Sequence, residues 1–185
     1  MAIKVTSDNH FYHANILTYE SMMKFRGDLY QTVEEMNSAM IIQWNKDVSP
    51  NDTVIIVGDF CFGHGETLRT RLREILPKIN GRFILVRGNH DPSKGDEVWD
   101  EFCHKVVDMY RLKDNKQLIV FCHYPLVSWE KSHYGSIMMH GHCHGKYQGP
   151  GRIIDVGWDV YGKVMDLQEL IAIANKRAIV SVDGH

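Results

Sequence analysis

Five short clusters in this chain carry side chains that bind metals or move protons. They are Asp8-Asn9-His10, Gly58-Asp59, Gly88-Asn89-His90-Asp91, a lone His123 after an apolar run, and His140-Gly141-His142-Cys143-His144. Histidine is the commonest metal ligand and the usual proton carrier near neutral pH, and the 185-residue chain has 11 of them. Asp8, His10, Asp59, Asn89, His123, His142 and His144 make seven candidate ligands. A single tetrahedral zinc site uses only about three or four protein ligands. Seven, with one carboxylate shared, suit two divalent metal ions. Oxygen and imidazole donors together favour Mn, Fe, Zn, Ni or Co over Ca or Mg, with manganese the first choice.

Taken singly, the clusters say little. A D-x-H pair, a Gly-Asp strand exit and a Gly-Asn-His-Asp turn all occur for structural reasons, because Gly, Asn and Asp favour turns. His142 and His144 are more specific, since side chains two apart in an extended segment project together. What gives the clusters weight is their common placement after apolar, β-branched runs. Strands are expected at 3–6, 53–57, 83–86, 137–139 and 153–156, and as a hairpin of 106–112 and 117–122 about Asp114-Asn115. The run at 53–57 is continuous enough to be buried on both faces. Helices are expected at 32–44, 67–76 and 167–175. The first has a Thr32/Glu35 capping box and an apolar face of Val33, Met36, Met40, Ile41 and Trp44. The second turns Leu68, Leu72 and Ile75 inward and stops at Pro77, and the third follows a capping Asp166. Residues 178–182 read as a further edge strand.

This order argues a mixed α/β fold with a parallel start, in one domain spanning 1–185. In open α/β sheets, ligands bind beyond the carboxyl ends of the strands. Five segments distant in sequence therefore deliver Asp, Asn or His to one edge. Gly58, Gly88 and Gly141 precede ligands, where the backbone must turn sharply or pass close to the site.

Composition excludes other classes. With 21 Lys and Arg against 23 Asp and Glu, the net charge is -2, which argues against a basic nucleic-acid binder and against an acidic disordered tail. A chain of this length buries roughly 70% of its unfolded surface without covalent staples. No signal-peptide pattern is visible, and no apolar run approaches the ~20 residues that span a bilayer. Cys61, Cys103, Cys122 and Cys143 form no C-x-x-C pair and read as reduced thiols of a cytoplasmic protein. Cys61, Cys122 and Cys143 flank candidate ligands and read as small buried fillers.

In this order the motifs resemble those of the calcineurin-like metallophosphoesterase superfamily: D-x-H, G-D, G-N-H-D/E, a lone H, then G-H-x-H. The resemblance covers about residues 3–160, and the short chain is similar to the small phosphodiesterase-type members of bacteria and their phages, as are residues 7–16 and 155–160. It implies an α+β sandwich: two mixed β-sheets packed together and flanked by helices, with a dinuclear metal site at the C-terminal ends of the strands. By position, Asp8, His10, Asp59 and His144 would hold one ion, and Asp59, Asn89, His123 and His142 the other. A water bridging the ions would be ionised and attack phosphorus. His90, not itself a ligand, would assist the leaving oxygen. Asp91 would either orient His90 by accepting its second N–H or cap the turn before Pro92. His13, Asn15 and Arg87 are candidate substrate contacts, against a helix N-cap for Asn15 and a surface salt bridge for Arg87. His140 reads as support or core, and His64, His104, His133 and His185 as solvent-facing.

The resemblance also narrows the substrate. Phe60-Cys61-Phe62-Gly63 lacks the Arg and acidic residue of the protein-phosphatase branch, and Asp91 stands where that branch has Glu. The charge of -2 and the short chain argue against a duplex nuclease. Small phosphoesters remain, diesters first and nucleotides among them. Tyr12, Tyr124, Trp129 and Trp158 lie near the motifs and are candidates to stack on a base, or else core. The competing readings are a protein or nucleotide phosphomonoesterase and a non-catalytic metal-binding scaffold; His90 and the full ligand set argue against the scaffold. The sequence carries no signature of oligomeric state.

Overall fold

β1 (Ile3–Thr6), β2 (Thr53–Ile56) and β3 (Arg82–Val86) are short β-branched segments that lie parallel, with Ile3 opposite Thr53 and Thr53 opposite Arg82. The computed structural model describes residues 1–93 and 95–181. Within them β4 (Cys103–Val107) extends this sheet in parallel beyond β3, and the short β9 (Met165–Asp166) runs antiparallel to β1. A second sheet joins β5 (Met109–Asp114), β6 (Gln117–Cys122), β7 (Ile137–His140) and β8 (Ile153–Asp155), antiparallel at its first pair and parallel thereafter. This is the expected pair of mixed sheets.

Period-2 alternation divides each strand between two cores. Val54 and Ile56 of β2 face α1 (Val33–Asp47), α2 (Gly65–Ile75) and α3 (Glu97–Phe102), among Met36, Met40, Trp44, Leu68, Leu72 and Trp99. Ile55 and Val57 face the other way, onto Ile119, Phe121, Ile137 and Met139 of the second sheet. The unbroken apolar run at 53–57 thus follows from burial on both faces. Trp129 covers the outward residues Val120, Met138 and Ile153 of the second sheet. α5 (Leu167–Asn175) sends Leu167, Leu170 and Ala174 into the core between the sheets. The capping box at the start of α1 is present on both sides, and α5 opens with Asp166 accepting from the Gln168 amide.

Four expectations change. Residues 106–112 are not one arm of a hairpin. The chain leaves the first sheet at Val107, turns at Asp108 and enters the second sheet at Met109. Asp108 is pinned at that crossing by the Arg87 guanidinium at 2.9 Å. Val107, Tyr110 and Leu112 all face the core between the sheets, so the alternation slips by one residue across Asp108, a slip that the apolar pairs Val106-Val107 and Met109-Tyr110 hide in the sequence. The hairpin of β5 and β6 turns on Asn115 and Lys116, both with left-handed backbone (φ 43° and 77°), as a two-residue turn of this twist requires. Residues 178–181 form no strand, and Val182 lies outside the described residues. α3 and the one-turn α4 (Trp158–Tyr161) were not foreseen, being too short to show a helical period. All four cysteines are free. No helix among the described residues is long and apolar enough to cross a membrane.

Candidate metal centre

The loops after β1 and β2 keep pairing beyond the strands. The Asp8 amide donates to Gly58 O, that of His10 to Asp59 O and that of Phe11 to Phe60 O, each at 3.0 Å. The backbone along them is unusual. Asp8, His10, Asp59, His142 and His144 all have left-handed φ, between 48° and 67°. For residues with a Cβ this costs of order 1–2 kcal/mol each, and Asp and His are among the types that tolerate it best. The curl keeps Asp8 and His10 in one donor group but sends His142 and His144, which an extended segment would project together, to different groups.

Two groups of donor atoms result, Asp8 with His10 and His144, and Asp59 with His123 and His142, each within 4.8 Å of one another. Asp8 Oδ1 stands 3.9 Å from His10 Nε2 and 4.0 Å from His144 Nε2. Asp59 Oδ2 stands 3.3 Å from His123 Nε2 and 3.8 Å from His10 Nε2, so Asp59 lies between the two groups. Asn89 Oδ1 is 3.1 Å from both His123 Nε2 and His142 Nδ1 and completes the second group. Asp8, His10, Asp59 and His123 form a buried floor, while Asn89, His90 and His142 stand at an open mouth. All seven candidate ligands therefore converge. The His10 ring offers the sharpest test of fit: both of its nitrogens are buried without a hydrogen-bond partner. Such a group is costly unless something coordinates it, and a divalent ion against Nε2 would.

The surrounding contacts orient the rings. His123 Nδ1 faces Val57 O at 2.9 Å and His144 Nδ1 faces Asp159 Oδ2 at 2.8 Å, so each ring donates there and presents Nε2 to the site. Gly88 and Gly141 are required by close approach. A methyl on Gly88 would overlap Asp59 Oδ1, and one on Gly141 would overlap Ser7 Oγ and Asp8 Oδ2.

Two residues that sequence reasoning passed over complete the support. Arg26 is fully buried, its guanidinium donating to Asp8 O at 2.7 Å, Asn9 O at 2.8 Å and both oxygens of Asp159 at 2.8 and 3.1 Å. It ties the strand carrying the first ligands to the carboxylate that holds His144. Burial disfavours the Asp159 anion, yet the His144 bond and the Arg26 charge hold its carboxyl well below the usual range. In the sequence Arg26 follows no strand and no motif, between Lys24-Phe25 and Gly27-Asp28, so nothing distinguished it from a surface cation.

The remaining candidates divide. Asp91 spends both oxygens on the backbone, accepting from the amides of Gly88 (2.8 Å), Asp59 (2.9 Å) and Phe60 (3.1 Å). Its bonds hold the two ligand loops together, and the contact expected with the His90 ring is not among them. His90 stands half-buried, 5.5 Å from the His10 ring, with its amide on Asp59 Oδ1 at 2.9 Å. His13 packs on Phe62 (3.9 Å) and caps a helical turn by accepting from the Ile16 amide, leaving its ring 5.6 Å from His10. Asn15 is exposed on that turn, and the cap expected of it belongs to His13. Arg87 pairs with Asp108, as the salt-bridge alternative held. His140 is buried, His64 and His104 are exposed, His133 is half-buried, and His185 lies outside the described residues. Cys61 and Cys122 are buried, but Cys143 is half-exposed at the mouth. Trp129 and Trp158 belong to the core and Tyr12 lies under the Arg71 guanidinium, whereas Tyr124 is exposed 4.7 Å from the His142 ring.

The whole chain, residues 1–185, matches the family model described as calcineurin-like phosphoesterase. The chain belongs to that family. It is 31% identical over 146 residues to an uncharacterised protein of Methanocaldococcus jannaschii, a match covering 78% of this chain and 70% of the relative. It is 26% identical to the gene 66 protein of Mycobacterium phage L5, over 92% of both chains. Among solved structures, a protein of unknown function from Aquifex aeolicus superposes with a TM-score of 0.66 at 22% identity, covering 93% of this chain and 98% of the other. That likeness speaks for the fold. Membership makes the protein a metal-dependent phosphoester hydrolase, and the two donor groups are where its divalent ions fit.

Protonation and metal binding are therefore linked. Burial opposes a charged His123 ring, but the Asp59 carboxylate raises it to about 9. Burial raises Asp8 to about 7 against the pull of His144 and His123. Both groups must be deprotonated to act as ligands. We expect Mn²⁺ binding at pH 7 to release more than about one proton per protein, read by calorimetry as heat that varies with the ionisation enthalpy of the buffer. A buffer-independent heat would contradict a protonated His123. We also expect Asp159→Asn, by freeing the His144 ring, to weaken Mn²⁺ binding roughly 10–100-fold. Unchanged affinity in the same titration would remove Asp159 from the support of the site.

Proposed function

We propose that the protein hydrolyses small phosphodiesters, nucleotides among them, using two divalent ions, with manganese the first candidate. The observation that carries this is Asp59. It lies between two complete donor groups, within 3.8 Å of His10 on one side and 3.3 Å of His123 on the other. In this reading Asp8, His10, Asp59 and His144 hold one ion, and Asp59, Asn89, His123 and His142 the second. When bound, the ions withdraw charge from the phosphoryl oxygens and lower the pKa of water.

The rest is done by the chain. Asp59 Oδ1 accepts the His90 amide, which ties the His90 ring to the rim of the site. From there His90 donates a proton to the departing oxygen, help worth roughly 10²–10⁴-fold in rate. Asp91 acts through the backbone amides of Gly88, Asp59 and Phe60 and is a positioning residue. His13, buried with its ring 5.6 Å from that of His10, is the one of the three candidate substrate contacts that this reading keeps. This reading gives Asn15 and Arg87 no such role: Asn15 is exposed on the turn that His13 caps, and Arg87 is paired with Asp108. A diester is favoured over a protein substrate because the segment after Asp59 lacks the arginine and acidic residue of the protein-phosphatase branch. Residues 1–185 act as one domain, and the free thiols fit a reducing cytoplasm.

We expect metal-dependent turnover of bis-(p-nitrophenyl) phosphate, faster than of p-nitrophenyl phosphate and abolished by a chelator. His90→Asn should keep its metal and lose roughly 10²–10⁴-fold on esters with poor leaving groups, with little loss on p-nitrophenyl esters. Equal loss on both kinds of ester would remove His90 as the acid. No turnover of either compound with Mn, Ni, Co or Zn would favour the binding scaffold instead.

A further inference from the structure

Beside the donor groups, a cavity of about 270 Å³ opens against Asn89 and His90. It is just under the roughly 300–1,000 Å³ typical of small-molecule pockets, room for one ring system and not for a strand. Two properties narrow what fits. Two imidazole rings, His64 and His90, are in its lining, and Phe62 packs behind them. The His90 ring stands 5.5 Å from His10 and 5.6 Å from Phe62, and Phe62 lies 6.2 Å from the His64 ring, which borders the cavity. Its far side has no cation to spare. The Arg69 guanidinium makes bonds of 2.9–3.2 Å to Asp96 and one of 3.3 Å to Glu66. Asp91, in the same wall, has both oxygens committed to backbone amides.

We infer that this cavity is a binding subsite for a planar, uncharged group joined to phosphorus through the bond that breaks, of the aryl or nucleoside class. The His64 and His90 rings in the lining, backed by Phe62, attract such a group by stacking. A second phosphate or carboxylate entering it would meet Asp96 with its counter-ion already engaged. A small alkyl group would leave the rings uncovered. The inference rests on His90 standing on the leaving-group side in the proposed reaction.

Phosphonates test it without turnover, because a C–P bond takes the place of the ester bond. The probes are phenylphosphonate, methylphosphonate and phosphonoacetate, titrated by calorimetry into the Mn-loaded protein. Phenylphosphonate should bind about tenfold tighter than methylphosphonate, and phosphonoacetate no tighter than methylphosphonate. His64→Ala and Phe62→Leu should each remove most of the phenyl preference. His64 makes no side-chain capping bond at the start of α2, so its loss spares the helix. A phenyl preference that survives His64→Ala, or that disappears in Tyr124→Ala instead, would overturn the subsite. So would phosphonoacetate binding as tightly as phenylphosphonate. If manganese binds and none of the three phosphonates does, the phosphoester reading itself fails, and the subsite with it.

Discussion

The left-handed backbone at five of the seven candidate ligands is the constraint on which the rest of the structure turns. Each such residue stores of order 1–2 kcal/mol, and five together rival the whole net stability of a domain, about 5–15 kcal/mol. A loop could not hold this alone. It is held because the loops after β1 and β2 stay hydrogen-bonded to each other past the strand ends, through Asp8 to Gly58, His10 to Asp59 and Phe11 to Phe60. The sheet therefore does more than deliver ligands to an edge. It extends its ladder into the site and over-determines a conformation that the residues would otherwise avoid.

Charge imposes a second demand. Asp8 and Asp59 are both buried, and burial disfavours their ionisation unless neighbouring groups offset it. The two are treated differently. Asp59 faces His123 and the His90 amide, which keep it ionised, to about 2 despite burial. Asp8 is pushed up by its deeper burial, although the Ser7 and His142 contacts favour its charge. Arg26 supplies a permanent cation beneath this pair, reaching it through backbone carbonyls and through Asp159. A divalent ion in each donor group would complete the neutralisation that Arg26 begins.

The open rim explains how a chain of near-neutral charge would handle an anionic substrate. The described surface near the mouth offers no free guanidinium: Arg69 is engaged by Asp96 and Glu66, and Arg87 by Asp108. Attraction for phosphate then comes from the metal positions at the floor, while Phe62, His64, His90 and Tyr124 give the rim a ring-lined, weakly charged character. Such a rim suits a small ester and offers little to a long polyanion, whose binding depends on many surface cations.

Much of this was legible in residue types and order. The apolar runs marked the strands because burial on both faces leaves no alternative to β-branched residues. Asp8, His10, Asp59, Asn89, His123, His142 and His144 were legible because they repeat one rule, a ligand just past a strand. What the order of residues left open was decided by partners far along the chain. Whether residues 106–112 are one strand or two depends on which sheet each half meets, and the apolar pairs on either side of Asp108 mask the one-residue slip between them. Arg26 is a surface-type residue until Asp159, 133 positions later, arrives to pair with it in the core. Asp91 was left open between the His90 ring and its own turn, and the structure spends both its oxygens on amides from two loops. Local sequence thus determined the elements and the ligand chemistry, since burial and coordination act on residue type. Only the tertiary structure decided the support of those ligands, since a hydrogen-bond partner is chosen by distance in space.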